Sequence, residues 1–370
     1  MKINYRNKMT DTYSDIYQDQ YSLNNKVLNY TTKIIKKNLL EMGISLQELK
    51  KMKVLNIGTG IETVTFRKLG AKKVYHFDIS QKAVNAVKKH NKKYKNIISQ
   101  RIDVCNEKIR LNEKVDVIYL CGVFHHFNKP KLGLQNLLNN LNYKGIIFIR
   151  NYTSGSMFFF LVDFIRKFVP KLDVKIIQKL LLERLEKKFG KFKTDNKYWI
   201  NNYSNYLYNT SVDNCCVPTV NLFDANKFQK YFVKNNFKNL LVKKYPIYNH
   251  NDHRKIDVMM QSFIFKNLNQ KKIKLKKKFL NHVDQLNIKY KEKHIVDTVK
   301  LMKIKLNKIL KLNIVNKIDL LIDLQFIGNS FRYSKFYKTP NSFFFKNNQK
   351  KLSNAKGIHQ LLKERLKLEI

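Results

Sequence analysis

Residues 53–150 alternate short β-rich runs with helical stretches, and this pattern constrains the fold more than any other feature of the chain. The β-rich runs are Val54–Ile57, Lys73–Phe77, Asn96–Ile98, Val115–Leu120 and Gly145–Ile149. Between them, apolar residues at helical spacing predict helices at Ser80–Tyr94 and Lys131–Leu141. Strands that alternate with helices form parallel sheets with right-handed crossovers, so the pattern predicts an α/β fold.

The alternation stops after the fifth run and resumes later in the chain. Residues 153–215 are aromatic-rich and helical in pattern, which predicts an insertion after strand 5. A helix at Asp224–Asn235 and strands at Leu240–Tyr248 and Met259–Phe265 follow, and the last two suit a terminal antiparallel hairpin. The sequence therefore predicts a seven-stranded, mostly parallel sheet with helices on both faces.

The predicted domain organisation has three parts. Residues 1–50 form an N-terminal helical cap, residues 51–267 form the α/β domain, and residues 268–370 form a lysine-rich helical appendage. Within the α/β domain, residues 153–215 are expected to be a helical lid. The apolar run Met157–Phe168 favours a lid helix packed on the sheet over a contact with lipid.

The charge of the chain is unusual, because 73 Lys and Arg residues against 27 Asp and Glu residues give a net charge of +46. A field this positive attracts polyanions such as RNA, DNA or an anionic membrane surface. Lys, Asn, Ile, Phe and Tyr are also the residues that AT-rich codons encode, so a general composition bias gives the same excess. The sequence leaves both explanations open.

The four cysteines give no sign of a metal site. None of Cys105, Cys121, Cys215 and Cys216 forms a C-x-x-C pair, so we expect no bound metal. Few, scattered cysteines suit a reducing compartment, and residues 1–19 are polar with no apolar signal core. The strongest apolar run is shorter than the roughly 20 residues that span a bilayer. We therefore expect a cytoplasmic protein.

A glycine turn at the end of the first β-rich run carries the clearest functional signal. Gly58 and Gly60 follow the run directly, and glycines at such a turn let the backbone approach a ligand with no Cβ in between. Asp78 lies 20 residues after Gly58 at the end of the next run. A carboxylate there can accept hydrogen bonds from both hydroxyls of a ribose. The spacing predicts a site for an adenosine-containing ligand.

The residue after this turn argues against a dinucleotide. Dinucleotide sites place a third glycine at the helix start, where the pyrophosphate binds, but this chain has Glu62 there. A carboxylate would repel a pyrophosphate, whereas S-adenosylmethionine has no phosphate and carries a sulfonium and an ammonium. The sequence thus favours S-adenosylmethionine over NAD.

Four places in residues 54–150 resemble class I, Rossmann-like S-adenosylmethionine-dependent methyltransferases. They are the turn with Gly58 and Gly60, the acid Asp78, the pair Asp103-Val104 and the stretch Leu120–Phe127. The resemblance extends more loosely to about residue 266 and does not cover the C-terminal appendage. Two positions depart from the family pattern: Asn56 stands where the family often has an acid, and Glu62 where it often has a glycine.

The resemblance implies a set of site residues. The residues expected to bind the cofactor are Asn56, Gly58, Thr59, Gly60, Asp78, Ile79, Asp103, Val104 and Cys121. Asp103 would face the adenine amino group, and the stretch after the fourth strand would border the methyl-donor pocket. His125 or His126 would be the general base if the acceptor needs one.

Each of these residues has a simpler alternative role. Asp78 could cap the helix that begins near Ser80, and Asp103 could be an ordinary loop carboxylate. His125 and His126 could be one packed and one capping histidine.

The function predicted from the sequence is methyl transfer to a small or medium organic acceptor, with the aromatic insertion closing over it. Cys121–Phe127 lacks the Asp/Asn-Pro-Pro-aromatic motif of enzymes that methylate DNA amino groups. One alternative is an RNA methyltransferase, such as one for tRNA, that docks nucleic acid on its basic C-terminal region. Another is a basic binding module on a degenerate, non-catalytic fold, which the departures at Asn56 and Glu62 motivate.

Overall fold

A computed structural model gives the architecture of most of the chain. The residues that the structure describes are 9–10, 25–58, 60–91, 94–155, 157–169, 174–189, 203–246, 258–276, 280–333, 351 and 355–368. Contacts divide the chain into two compact units. The first contains Met1–Thr153, Pro218–Tyr245 and Met260–His282, and the second contains Ser154–Val217, Pro246–Met259 and Val283–Ile370.

A seven-stranded sheet organises the first unit. Its strands are β1 (Lys53–Ile57), β2 (Lys73–Asp78), β3 (Ile97–Arg101), β4 (Val115–Cys121), β5 (Leu141–Tyr152), β6 (Phe237–Pro246) and β7 (Val258–Asn267). They lie in the order β3-β2-β1-β4-β5-β7-β6. The pairs among β1 to β5 are parallel, and β7 runs antiparallel to β5. This is the predicted fold class, and it is confirmed.

Helices cover both faces of the sheet. They are α1 (Asn25–Glu41), α2 (Leu46–Leu49), α3 (Ile61–Lys68), α4 (Gln81–Asn91), α5 (Pro130–Leu138) and α9 (Ala225–Lys234). The second unit contains α6 (Met157–Phe168), α7 (Val174–Phe189), α8 (Tyr203–Ser211), α10 (Lys293–Lys311), α11 (Ile314–Tyr333) and α12 (Ala355–Leu368). The helical insertion after strand 5 and the helical C-terminal region are therefore both present.

The two-residue period of the strands decides which side chain points to which layer. In β1, Val54 packs in the core that contains α1 and α3, whereas Leu55 packs in the core that contains α5 and α9. In β4, Tyr119 and Leu120 divide in the same way. Odd and even positions of one strand therefore serve opposite faces, and the polar residues at the strand ends follow the same rule.

Element boundaries differ from the predicted ones mainly around β5. The helix predicted to end at Leu141 ends at Leu138, and β5 begins at Leu141 rather than Gly145. The reason is an irregularity in the pairing with β4, where Val115 pairs with Leu141 but Val117 pairs with Ile146. The left-handed backbone of Lys144 (φ 61°) lies within this stretch.

Ion pairs and buried hydrogen bonds hold the second unit together. The Asp163 carboxylate on α6 accepts a hydrogen bond from the Gln285 backbone N–H at 2.7 Å. Arg166, one turn further along, donates to the carbonyl oxygen of Val217 at 2.8 Å. Arg184 on α7 pairs with Asp319 on α11. No helix among the described residues is long and apolar enough to cross a membrane.

Candidate functional site

The glycine turn after β1 has backbone conformations that favour glycine. Gly58 has φ 133° and Gly60 has φ 93°, both on the positive side that L-residues avoid. A Cβ at Gly58 would lie 3.2 Å from Val123 Cγ1, and one at Gly60 would overlap the Val87 side chain. Gly60 is also the N-cap of α3. Both glycines are buried, so the turn depends on glycine for its backbone conformation and for its close packing against Val87 and Val123.

A buried histidine supports this turn from the next strand. His76 is fully buried, with its Nε2 2.7 Å from the Gly58 carbonyl oxygen and its Nδ1 2.7 Å from Ser99 Oγ. A carbonyl oxygen only accepts, so Nε2 carries the proton and Nδ1 accepts from the serine hydroxyl. Burial lowers the pKa of His76 to about 4, which keeps the ring neutral near pH 7.

Asp78 lies at the end of β2, beside the glycine turn. The Gly58 N–H donates a hydrogen bond to the carbonyl oxygen of Phe77, the residue before Asp78, at 3.3 Å. Asp78 Oδ1 accepts a hydrogen bond from the Ser80 N–H at 2.6 Å, so the carboxylate does help to start α4. Its Oδ2 bonds to no residue that the structure describes. Burial raises the pKa of Asp78 to about 7, because few donors stabilise its charge.

The loop after β3 approaches Asp78 through its backbone. The Ile102 N–H donates to the Asp78 carbonyl oxygen at 3.0 Å. The next side chain, Asp103, accepts from the Cys105 N–H at 2.9 Å and from Asn106 Nδ2 at 2.7 Å. These local bonds are those of a loop-capping carboxylate. The adenine role of Asp103 and the contact of Val104 stay predictions.

The segment after β4 closes the other side of the glycine turn. Val123 is the side chain nearest to Gly58, as the position of the missing Cβ indicates. Gly122 has φ 74°, and its N–H donates to the Arg150 carbonyl oxygen at 3.0 Å. Cys121 is half-buried at the strand end, where burial raises the pKa of its thiol. The ends of β1, β2, β4 and β5 thus meet at one edge.

The two predicted histidines lie in a single 3₁₀ turn, Phe124–His126, just beyond β4. His125 is fully buried, stacks on Tyr152 with ring centroids 3.6 Å apart, and has Nδ1 3.1 Å from Asn151 Oδ1. Its buried Nε2 has no hydrogen-bond partner. Burial holds the pKa of His125 well below its usual range.

His126 differs from its neighbour in its hydrogen bonding. Its Nδ1 lies 2.9 Å from the Thr219 carbonyl oxygen, so Nδ1 carries the proton and Nε2 the lone pair. The Asn221 side chain fixes the turn by donating to the carbonyl oxygens of His125 and Phe127 at 3.1 and 2.8 Å. The tautomer of His126 is the one that a general base needs.

Asn56, the residue before the last of β1, has a neutral side chain. It is fully buried, and its Nδ2 donates to Thr63 Oγ1 at 2.9 Å. Its Oδ1 is buried and bonds to no residue in the described part of the chain. Thr59, the residue between the two glycines, lies outside the described residues.

The structure brings most of the predicted site residues to the carboxyl edge of the sheet, where ligands of open α/β folds bind. Sequence reasoning missed four polar residues at this edge: Asn38, His76, Arg150 and Asn151. Their signal was weak, since a single polar residue in a helix or near a strand end is informative only when its neighbours in space are known.

The residues present suit S-adenosylmethionine. The glycine turn lies beside the end of β2, and one oxygen of Asp78 there is available for ribose hydroxyls. Two buried polar atoms at the same edge, Asn56 Oδ1 and Ser80 Oγ, have no hydrogen-bond partner among the residues that the structure describes. Buried polar groups are rarely left unbonded, so these atoms are consistent with a polar ligand.

Comparison with known families assigns the central segment. Residues 55–149 match the family described as a methyltransferase domain. The resemblance to class I methyltransferases that the motifs predicted is therefore confirmed for this segment. No curated protein sequence is significantly similar to the chain.

Among solved structures, TehB from Haemophilus influenzae is 16% identical with a TM-score of 0.36, over 58% of this chain and 57% of that one. The N-methyltransferase NodS from Bradyrhizobium japonicum WM9 is 10% identical with a TM-score of 0.34, over 66% and 99%. An S-adenosylmethionine-dependent methyltransferase from Mesorhizobium loti is 10% identical with a TM-score of 0.38, over 58% and 91%. The chain thus spans a little over half of the TehB structure.

Proposed function

Because residues 55–149 resemble a methyltransferase domain, we propose that the protein transfers a methyl group from S-adenosylmethionine to a small or medium organic acceptor. The observation that carries this proposal is the position of the glycine turn, Gly58 and Gly60, beside the half-bonded Asp78 carboxylate. The four cysteines are free thiols, which suits a reducing cytoplasm.

Each site residue has a defined part in this proposal. The turn backbone approaches the cofactor, Asp78 accepts from the ribose hydroxyls, and Asp103 and Val104 border the adenine. Asn56, Thr59, Ile79 and Cys121 complete the wall. When bound, the cofactor supplies an electrophilic methyl group on a sulfonium. The protein's main contribution is orientation and exclusion of water.

His126 is the proposed general base for the acceptor. Its Nδ1–H is bound to the Thr219 carbonyl oxygen, which fixes the ring and puts the lone pair of the neutral imidazole on Nε2, the atom that would accept the proton. His125 is buried and held neutral. We therefore assign His125 to positioning the 3₁₀ turn rather than to proton transfer.

Calorimetric titration with S-adenosylmethionine and S-adenosylhomocysteine tests the cofactor assignment. We expect saturable binding, and substitution of Asp78 by Ala should weaken it by about 1–3 kcal/mol, the scale of charge-assisted hydrogen bonds. No binding at millimolar ligand would instead support the non-catalytic binding module. Release of S-adenosylhomocysteine with a panel of organic acids, phenols and amines would then identify the acceptor.

A second candidate, docking of a nucleic acid, rests on the exposed face of α10. Exposed lysines follow one another at helical spacing along this face: Lys293, Lys300, Lys303, Lys308 and Lys311. Asp297 on the same helix pairs with Lys363, and Asp319 on α11 pairs with Arg184. Val296 and Ile304 are also exposed on this helix, so the lysines that would contact backbone phosphates share the face with apolar side chains.

The salt dependence of RNA binding tests this second candidate. Replacing Lys300, Lys303, Lys308 and Lys311 by Gln should lower the slope of log K against log salt by about 3, at roughly 0.7 per lost phosphate contact. The matched control replaces the exposed residues Lys36, Lys37, Lys88 and Lys89 of the first unit. Equal slopes for the two variants, or binding to anionic vesicles in place of RNA, would reject the assignment.

A further inference from the structure

Glu62 and Arg150 lie on the same side of the sheet, linked by a stack of aromatic rings. Glu62 is in the first turn of α3, and Phe66 follows it on the same helix face one turn later. Phe66 contacts Tyr119 edge-on with ring centroids 5.1 Å apart, and Tyr119 stacks on Phe148 at 4.6 Å. The Arg150 guanidinium lies over Phe148, 5.6 Å from its centroid. Both charged groups therefore lie beyond this stack, at the edge where the glycine turn begins α3.

The guanidinium of Arg150 is held in place by neighbouring polar groups. Its Nε donates to Ser262 Oγ at 3.1 Å and its Nη2 to Asn38 Oδ1 at 3.2 Å. Asn38 is buried and is itself fixed by its bond to the Tyr119 hydroxyl at 2.6 Å. An arginine fixed in this way has little orientational freedom to lose when it binds a carboxylate.

Glu62 has no comparable partner. No side-chain hydrogen bond or ion pair joins it to another residue that the structure describes, and its carboxyl group accepts only from its own backbone N–H. Burial raises the pKa of Glu62 to about 7, although Arg150 is close enough to oppose this. A desolvated carboxylate of this kind is stabilised by a cation that donates hydrogen bonds to it.

The strand end lacks a charge of its own. Asn56, where the related family often has an acid, is neutral, and its amide is bonded to Thr63. An ammonium bound beside Asn56 would therefore find a carboxylate on α3 and none on β1. Two positions depart from the family pattern. Asn56 lacks a charge that the family often has there, and Glu62 supplies a carboxylate at a position where the family often has glycine.

We propose that Glu62 and Arg150 bind the amino-acid end of the cofactor, with the Glu62 carboxylate accepting from the α-ammonium and the Arg150 guanidinium donating to the α-carboxylate. The inference rests on the proposed function, because it assumes that the glycine turn holds an S-adenosyl group. It assigns the recognition of the zwitterion to two residues outside the predicted site.

Two commercially available ligands isolate this end of the cofactor. S-adenosylhomocysteine and 5′-methylthioadenosine share the adenosine and the thioether, and only the first has the amino-acid group. We expect Glu62→Gln and Arg150→Gln each to lower the affinity for S-adenosylhomocysteine by about tenfold or more, because each removes a charge-assisted hydrogen bond. Binding of 5′-methylthioadenosine should change by less than about twofold. Calorimetry measures both without any turnover.

Asp78→Asn is the matched control, since it should weaken both ligands equally. Arg150→Lys keeps the charge and should retain part of the affinity for S-adenosylhomocysteine if Arg150→Gln perturbs the fold. Equal losses for the two ligands with Glu62→Gln, or no loss at all, would overturn the inference while leaving the proposed function intact. Failure of the unmodified protein to bind either ligand would instead overturn the proposed function.

Discussion

The His76 imidazole donates a hydrogen bond from Nε2 to the Gly58 carbonyl oxygen at 2.7 Å, and so ties the second strand to the glycine turn of the first. Ser99 on β3 fixes the tautomer through Nδ1 at the same distance. Three neighbouring strands thereby contribute to the conformation of one turn. The bond constrains a peptide whose backbone, at φ 133°, depends on glycine.

Replacing His76 tests the importance of this bond. His76→Gln places an amide nitrogen near the position of Nε2 and should retain most affinity for S-adenosylhomocysteine. His76→Asn retains only the Nδ1-like position and should weaken the ligand by about 1 kcal/mol, the net value of one buried hydrogen bond. Equal affinities for both variants, measured by calorimetry on folded protein, would show that the turn does not need the bond.

Gly60→Ala should destabilise the protein by about 3 kcal/mol or more, because strain at a positive φ adds to a steric overlap with Val87. The control is Gly43→Ala, which has φ 69° but no atom within 4 Å of the added methyl group. That change should cost only about 1 kcal/mol. Urea unfolding of both variants separates the steric part from the backbone part.

Ligand affinity should rise with pH through the neutral range. The pKa of Asp78 is raised to about 7, so the carboxyl group is partly protonated at neutral pH, and donors such as ribose hydroxyls bind its ionised form. Binding of S-adenosylhomocysteine should therefore strengthen between about pH 6 and pH 8, with release of protons. Asp78→Asn should reduce the slope of affinity against pH. The pKa of Glu62 is also raised to about 7, so Glu62→Gln should reduce the pH dependence that remains.

The raised pKa of Asp78 has the opposite consequence for the stability of the unliganded protein, which should fall as pH rises. Between the ordinary value of 3.8 and the folded value of about 7, the folded state binds more protons than the unfolded state at Asp78. This carboxyl group therefore destabilises the unliganded protein increasingly as pH rises through that window. Asp78→Asn should raise the melting temperature at pH 8 more than at pH 5, and an equal increase at both would contradict the assigned cause.

His126→Asn should separate proton transfer from cofactor binding. The Asn side chain can still donate to the Thr219 carbonyl oxygen in place of Nδ1, but it has no counterpart of Nε2. Once an acceptor that needs deprotonation is known, kcat should fall by about 100-fold or more. The dissociation constant of S-adenosylhomocysteine should stay within about twofold of the unmodified value. An unchanged kcat would remove His126 from the mechanism.

Much of the first unit could be read from local patterns. Both faces of strands such as Val54–Ile57 and Val115–Leu120 are buried, and the mostly apolar character that this requires is visible in the sequence. The positions of Gly58, Gly60 and Asp78 followed from spacing alone. Strand ends were less predictable, since the start of β5 depends on its irregular pairing with β4.

The polar residues around the site could not be read in this way. His76 and Arg150 occupy strands in which alternate residues face different layers, and the sequence does not say what lies opposite them. Arg150 acquires its orientation from Asn38 and Ser262, each 112 positions away in the chain. This cluster therefore forms only when β7 pairs with β5 and helix α1 packs on the sheet.

The sequence by itself determined the succession of strands and helices along the chain, the glycine turn, and the acid at the end of the next strand. These features depend on side-chain periodicity and on backbone conformations that few residues adopt. What only the tertiary structure decided is the electrostatics of the edge. Burial, and not residue type, makes Asp78 and Glu62 carboxylates that need donors and makes His76 a neutral support. The physical reason is that desolvation and hydrogen bonding come from neighbours distant in the chain, which no local pattern records.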